Sequence, residues 1–143
     1  MSVRGEGIGR WRAAAVVLGG GLVATGALLP WLTLFAGLQH YSGLIGLYGW
    51  LVLAGGVASV GVGAAMFVRH TRRLHLGGLT LGLTMMIFTA WLVTRLFETM
   101  RGIGADAMLV ARPGPGLFVA IAGSIVVAAA SYRGLAIMNY QSR

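Results

Sequence analysis

Between Arg12 and Arg69 the chain runs for 56 residues, Ala13–Val68, without a single Asp, Glu, Lys or Arg. A helix rises about 1.5 Å per residue and a bilayer's hydrocarbon core is about 30 Å thick, so roughly 20 residues make one crossing. The run is long enough to cross twice, and Pro30 with the glycines at 37, 43 and 46 gives it a place to turn. Two further charge-free runs, Leu74–Thr94 (21 residues) and Pro113–Tyr132 (20 residues), each suffice for one more crossing. Charged residues make up only 10% of the 143, where a soluble domain carries about 25%, and the mean hydropathy is +0.84. These values exclude a soluble enzyme. They also argue against a nucleic-acid partner despite the net charge of +8, because the cations sit in short segments between apolar runs.

The expected fold class is an all-α, four-helix transmembrane bundle, up-down-up-down, with both termini cytoplasmic. Residues 1–12 read as a flexible basic arm, 13–133 as the transmembrane domain and 134–143 as a cytoplasmic tail. The helices are expected at about 11–31, 47–67, 76–94 and 116–132. Pro30 ends or kinks the first near Leu29, since proline lacks an N–H and its ring clashes one turn back. Residues 32–46 read as an interfacial loop with at most one helical turn. Arg4, Arg10 and Arg12 before an apolar run resemble a signal peptide, but the apolar stretch continues through Pro30–Phe35, so the first helix is read as uncleaved.

Orientation follows from the arginines. Arg4, Arg10, Arg12, Arg69, Arg72, Arg73, Arg133 and Arg143 fall on one side with Glu6, whereas Arg95, Arg101 and Arg112 fall on the other with Glu98 and Asp106. Short cytoplasmic loops carry the excess of Lys and Arg, so the first side is cytoplasmic. Eleven Arg against no Lys suggests a GC-rich bacterial genome and places the chain in a bacterial plasma membrane.

Small residues recur at every fourth position: Gly55, Ser59 and Gly63 in the second helix, and Gly116, Ala120, Ser124 and Ala128 in the fourth. Such faces let helices approach closely in lipid. The second-helix face is expected inside the bundle, and the fourth-helix face is expected to receive a partner. At mid-span the polar side chains are hydroxyls such as Thr25, Ser59, Thr84, Thr89 and Ser124, which bond the carbonyl one turn back and carry little chemistry. Ion and proton pathways need buried ionisable groups or unwound helices, and neither is expected.

No catalytic, metal or cofactor site is assigned. With no cysteine there is no thiolate chemistry. His70 and His75, five apart, share no helix face and have no carboxylate beside them to complete a metal site. Arg69, Arg72 and Arg73 around them read as a turn that meets anionic lipid headgroups. Gln39-His40-Tyr41 could hold a quinone or a haem edge, the weaker of two readings. Arg95, Glu98 and Arg101, three apart, form an outer polar contact: Arg95 can pair with Glu98 and lie over Trp91. Pro113-Gly114-Pro115-Gly116 has no preceding strand and no following Lys, and so is not expected to bind phosphate.

Leu29-Pro30-Trp31, then Tyr41-Ser42-Gly43-Leu44, then Pro113-Gly114-Pro115-Gly116-Leu117-Phe118 resemble a group of small, uncharacterised four-helix integral membrane proteins of actinobacteria. The resemblance implies an actinobacterial plasma membrane and carries no active site. The long outer segments are also similar to those of claudin-like bundles, but the paired cysteines are absent here and strands are not expected. The expected function is a non-catalytic accessory or structural subunit of a larger membrane complex, respiratory or transport, without a cofactor. The alternatives are a small homo-oligomeric channel or solute carrier, and a cofactor-binding redox or enzyme subunit using His40 or His70.

Overall fold

A computed structural model describes residues 3–34, 39–42, 44, 46–69, 71–102 and 112–141. Its frame is four helices: α1 (Val3–Leu28), α2 (Leu47–Val68), α3 (Arg72–Gly102) and α4 (Pro115–Gln141). Each holds a segment long and apolar enough to cross a membrane: Arg10–Leu28, Leu47–Val68, Arg72–Glu98 and Pro115–Ile137. The helix ends follow local chemistry. Leu29 N–H still bonds Thr25 C=O at 3.0 Å, and Pro30 then stops α1 because it has no N–H to continue the ladder. Pro115 opens α4, where the missing N–H costs no helical bond. Arg69 closes α2 by donating its N–H to Ala65 C=O at 2.9 Å.

Three expectations are corrected. The basic arm is helical from Val3 onward, α3 is longer at both ends, and α4 continues through the segment read as a tail. The physical reason is visible in α4. Gly134 and Leu135 are buried, and the His75 ring lies against Gly134, so the helix keeps a packed face beyond Tyr132.

The fourth difference is a small antiparallel sheet where a loop was expected. Strands β1 (Pro30–Leu34), β2 (Gln39–Ser42) and β3 (Arg112–Pro113) lie in the order β2-β1-β3. Leu32 pairs with Tyr41, Thr33 with His40 and Leu34 with Gln39, and the register shifts between Pro30 and Leu32. Leu32 and Thr33 pair on the other side with Pro113 and Arg112. Pro30 is at the first position of its strand, one of the few a proline can hold. Gly114 N–H donates to Trp31 C=O at 2.8 Å, so the sheet joins the end of α1 to the start of α4.

The helices pack through glycine. A Cβ at Gly20 of α1 would stand 2.7 Å from the Val60 backbone nitrogen of α2, and one at Gly123 of α4 would stand 2.6 Å from the Gly19 carbonyl of α1. Real Cβ atoms do not approach that closely, so the backbones themselves are in contact, as small residues allow in lipid. The α3–α4 seam is similar, with Gly82 against Ala128 and Gly78 against Ser131. The α2–α3 seam is built differently. There the Met85 thioether fills the space beside Gly55, and the Tyr48, Phe88 and Trp91 rings meet at centroid distances of 5.8–6.2 Å.

Two buried clusters result. One, at the sheet end, joins Val23, Ala27, Val52, Leu92, Leu117 and Ala120 under Trp31. The other, toward the Arg69–Arg73 turn, joins Ala13, Val16, Met66 and Val127. The buried hydroxyls turn back on their own helices: Ser59 to Gly55 C=O, Thr89 to Met85 C=O and Ser124 to Ala120 C=O, at 2.7–2.8 Å.

Candidate functional site

One hollow lies at the sheet end of the bundle. It measures about 470 Å³ and is lined by Trp31, Tyr48, Trp91, Leu92, Arg95, Leu96 and Leu117. Each wall has a local cause. Trp31 is swung over the bundle by its own indole N–H, which donates to Gly26 C=O at 2.9 Å. Leu117 and Leu92 are floor residues buried in the sheet-end cluster. Tyr48 comes from the first turn of α2 and stacks edge-on against Trp91.

Arg95 stands at the mouth, its guanidinium 5.5 Å from the Trp91 ring centroid and 3.6 Å from the Glu98 carboxylate. Both contacts match the spacing of three and four residues along α3. Both partners of the ion pair are about two-thirds exposed, so the pair itself adds little stability. Its effect is to hold one cation beside an aromatic wall. Arg101 is in the last turn of α3, and its side chain lies outside the described residues.

The opposite end carries the second concentration of charge. Arg69, Arg72 and Arg73, all exposed, line a hollow of about 710 Å³ with Ala65, Thr71 and Leu74. His75, considered with His70 from sequence, is buried in the α3–α4 seam against Gly134, turned away from that hollow. His70 lies outside the described residues. Gln39, His40 and Tyr41 form β2, and their side chains lie outside the described residues as well.

The small-residue faces are filled by the chain itself. Gly55 faces Met85 and Gly63 faces Val16 and Val17, while Ser59 is fully buried. Gly116 and Ala120 face Gly26 of α1, Ala128 faces Gly82 of α3, and Ser124 is fully buried. The fourth-helix face therefore has no room for another protein, and the expectation that it receives a partner is corrected. The reason is its position: α4 lies between α1 and α3, and both cover it. Among the small residues the chain leaves open are Ala54, Ala58 and Gly61 of α2, which are exposed. A Cβ at Gly61 would meet nothing within 4 Å. Their spacing of four and three residues was a legible signal, overlooked because Gly55-Ser59-Gly63 on the same helix reads more regularly.

Compared with models of known families, with curated proteins and with solved structures, the chain matches none.

Proposed function

We propose that the protein is a non-catalytic accessory subunit of a larger integral membrane complex; the resemblance to small actinobacterial four-helix proteins implies only the setting, an actinobacterial plasma membrane. Its helices run up-down-up-down with both termini cytoplasmic. The contact register of α1 and α2 supports the alternation, since earlier residues of one meet later residues of the other: Gly20 against Gly56, Val17 against Gly63. Anionic lipid headgroups meet the Arg69–Arg73 turn, and the outer polar contact is Arg95 with Glu98 and Arg101.

The observation that carries the reading is the outward face of α2. The chain itself covers Gly55-Ser59-Gly63 and Gly116-Ala120-Ser124-Ala128, yet leaves Ala54, Ala58 and Gly61 of α2 open, with Leu51 and Val57 beside them exposed. In lipid there is little hydrophobic drive between helices, so association depends on close packing, and this face offers it. Native mass spectrometry after mild detergent extraction tests the proposal. A stoichiometric larger partner is the expected result. Recovery of the chain alone, or only as multiples of its own mass, overturns it, and multiples would favour a homo-oligomeric channel or carrier.

A further inference from the structure

At mid-span α1 and α4 touch backbone to backbone through Gly19 and Gly123. Toward the turn end the same seam opens into a hollow of about 270 Å³. Trp11, Arg12 and Ala15 line it from α1, and Val126, Ala129, Ala130 and Arg133 from α4. The opening follows from residue size, because three alanines leave the groove floor unfilled. It follows from spacing too: Arg133 is three, four and seven residues from Ala130, Ala129 and Val126, so all four share one face of α4. Two guanidinium groups from separate helices thus flank one apolar groove, with an indole that is 74% exposed at its edge. No carboxylate lines this groove among the described residues.

We propose that this groove binds one anionic phospholipid, with Arg12 and Arg133 on its headgroup phosphate and an acyl chain running along Val126 toward Leu22. Arginine's planar fork matches phosphate oxygens and makes charge-assisted hydrogen bonds to them. Basic pockets between membrane helices suit such headgroups, and a tryptophan ring prefers the level of the membrane interface. The floor selects a lipid over free phosphate. It is made of Ala and Val side chains, which add no hydrogen-bond donor for a hydrated anion but do cover a hydrocarbon chain. Leu22 continues the path, because it is partly exposed and its Cβ borders Gly123 at the crossing. The site is distinct from the Arg69–Arg73 turn, whose cations lie within five consecutive residues and whose hollow has no aromatic lining among the described residues.

The test uses the full chain in phosphatidylcholine vesicles, with a minor fraction of phosphatidylglycerol brominated in its chains as a quencher of tryptophan fluorescence. The expected result is a saturable component of quenching that is stronger than with brominated phosphatidylcholine and disappears in Trp11→Phe. Arg12→Gln and Arg133→Gln should each weaken it roughly tenfold, the size of one lost charge-assisted hydrogen bond. Arg72→Gln should leave it unchanged, which separates this groove from the turn. Arg133 is exposed, so its variant carries the test even if Arg12→Gln does not insert.

Equal quenching by the two lipids, or quenching indifferent to both arginines, overturns the proposal in favour of ordinary lipid contact. Competition by soluble glycerol phosphate overturns it in favour of a free-phosphate site. Loss of a co-purifying protein in Arg133→Gln with quenching intact overturns it in favour of a protein interface.

Discussion

Single glycines in this bundle differ by what lies within 4 Å of the position where a Cβ would be. At Gly123 it is the Gly19 carbonyl of the neighbouring helix, 2.6 Å away, whereas at Gly21 there is nothing. The two positions look alike in sequence, each in an apolar helix among Leu, Val and Ala. Gly123→Ala should force α1 and α4 apart and cost about 1–3 kcal/mol or more, the usual range for overpacking. Gly21→Ala should change stability by less than about 1 kcal/mol, and upward, since alanine is the better helix former. Thermal unfolding of the two variants in the same detergent checks this, and equal melting temperatures would contradict the backbone contact. Sequence reading ranked the glycines by periodicity. With 24 of them in 143 residues, periodic sets arise on several faces at once, and only the neighbouring helix decides which set is used.

At the scale of elements, the same ambiguity determined which helix was read as the docking helix. As the last span with a continuous small face, the fourth helix reads as available, but that face lies against α1 and α3. Ala120→Leu with Ser124→Leu should therefore unfold the chain, because both positions are fully buried and extra methylenes there have no space. Ala58→Leu with Gly61→Leu should leave the fold intact, since both point outward, and should remove the co-purifying partner. Circular dichroism and pull-down on the two double variants read fold and association separately. A folded Ala120→Leu, Ser124→Leu protein would mean that the α1–α4 seam is not closed.

The existence of the helices was legible because charge and proline punctuate them. Arg69 and Arg72–Arg73 bound α2 and α3, and Pro115 opens α4. The sheet was not legible. Pro30–Leu34 is five residues long, starts with a proline, and gains its ladder only from Gln39–Ser42 and from Arg112–Pro113 far along the chain. The outer hollow was half legible: the spacing gave Arg95 over Trp91 beside Glu98, but Trp31 and Leu117 reach it only through the sheet and the α4 start.

For the whole molecule, the proposed orientation rests on the distribution of cations over the two ends. Arg12 and Arg133 line one hollow, and Arg69, Arg72 and Arg73 line another beside the connection from α2 to α3. Arg95 stands at the sheet end with Glu98. Membrane insertion retains Lys and Arg of short loops on the cytoplasmic side, and the count from sequence, eight arginines against three, is the ground for proposing that the end without the sheet is cytoplasmic. In the proposed orientation the sheet lies outside, where its strand edges meet water rather than hydrocarbon, as any open sheet edge must. Backbone hydrogen bonding requires only that the sheet lie at a membrane surface, so the choice of side rests on charge alone. Because the chain has no cysteine of its own, single cysteines report orientation cleanly. Introduced at Ser2, Ser42, Ala105 and Ser142 and treated on intact cells with a membrane-impermeant thiol reagent, positions 42 and 105 should label and positions 2 and 142 should not until the cells are opened. Labelling at 2 or 142 in intact cells would invert the protein, and with it the side on which the Arg12–Arg133 groove meets its lipid.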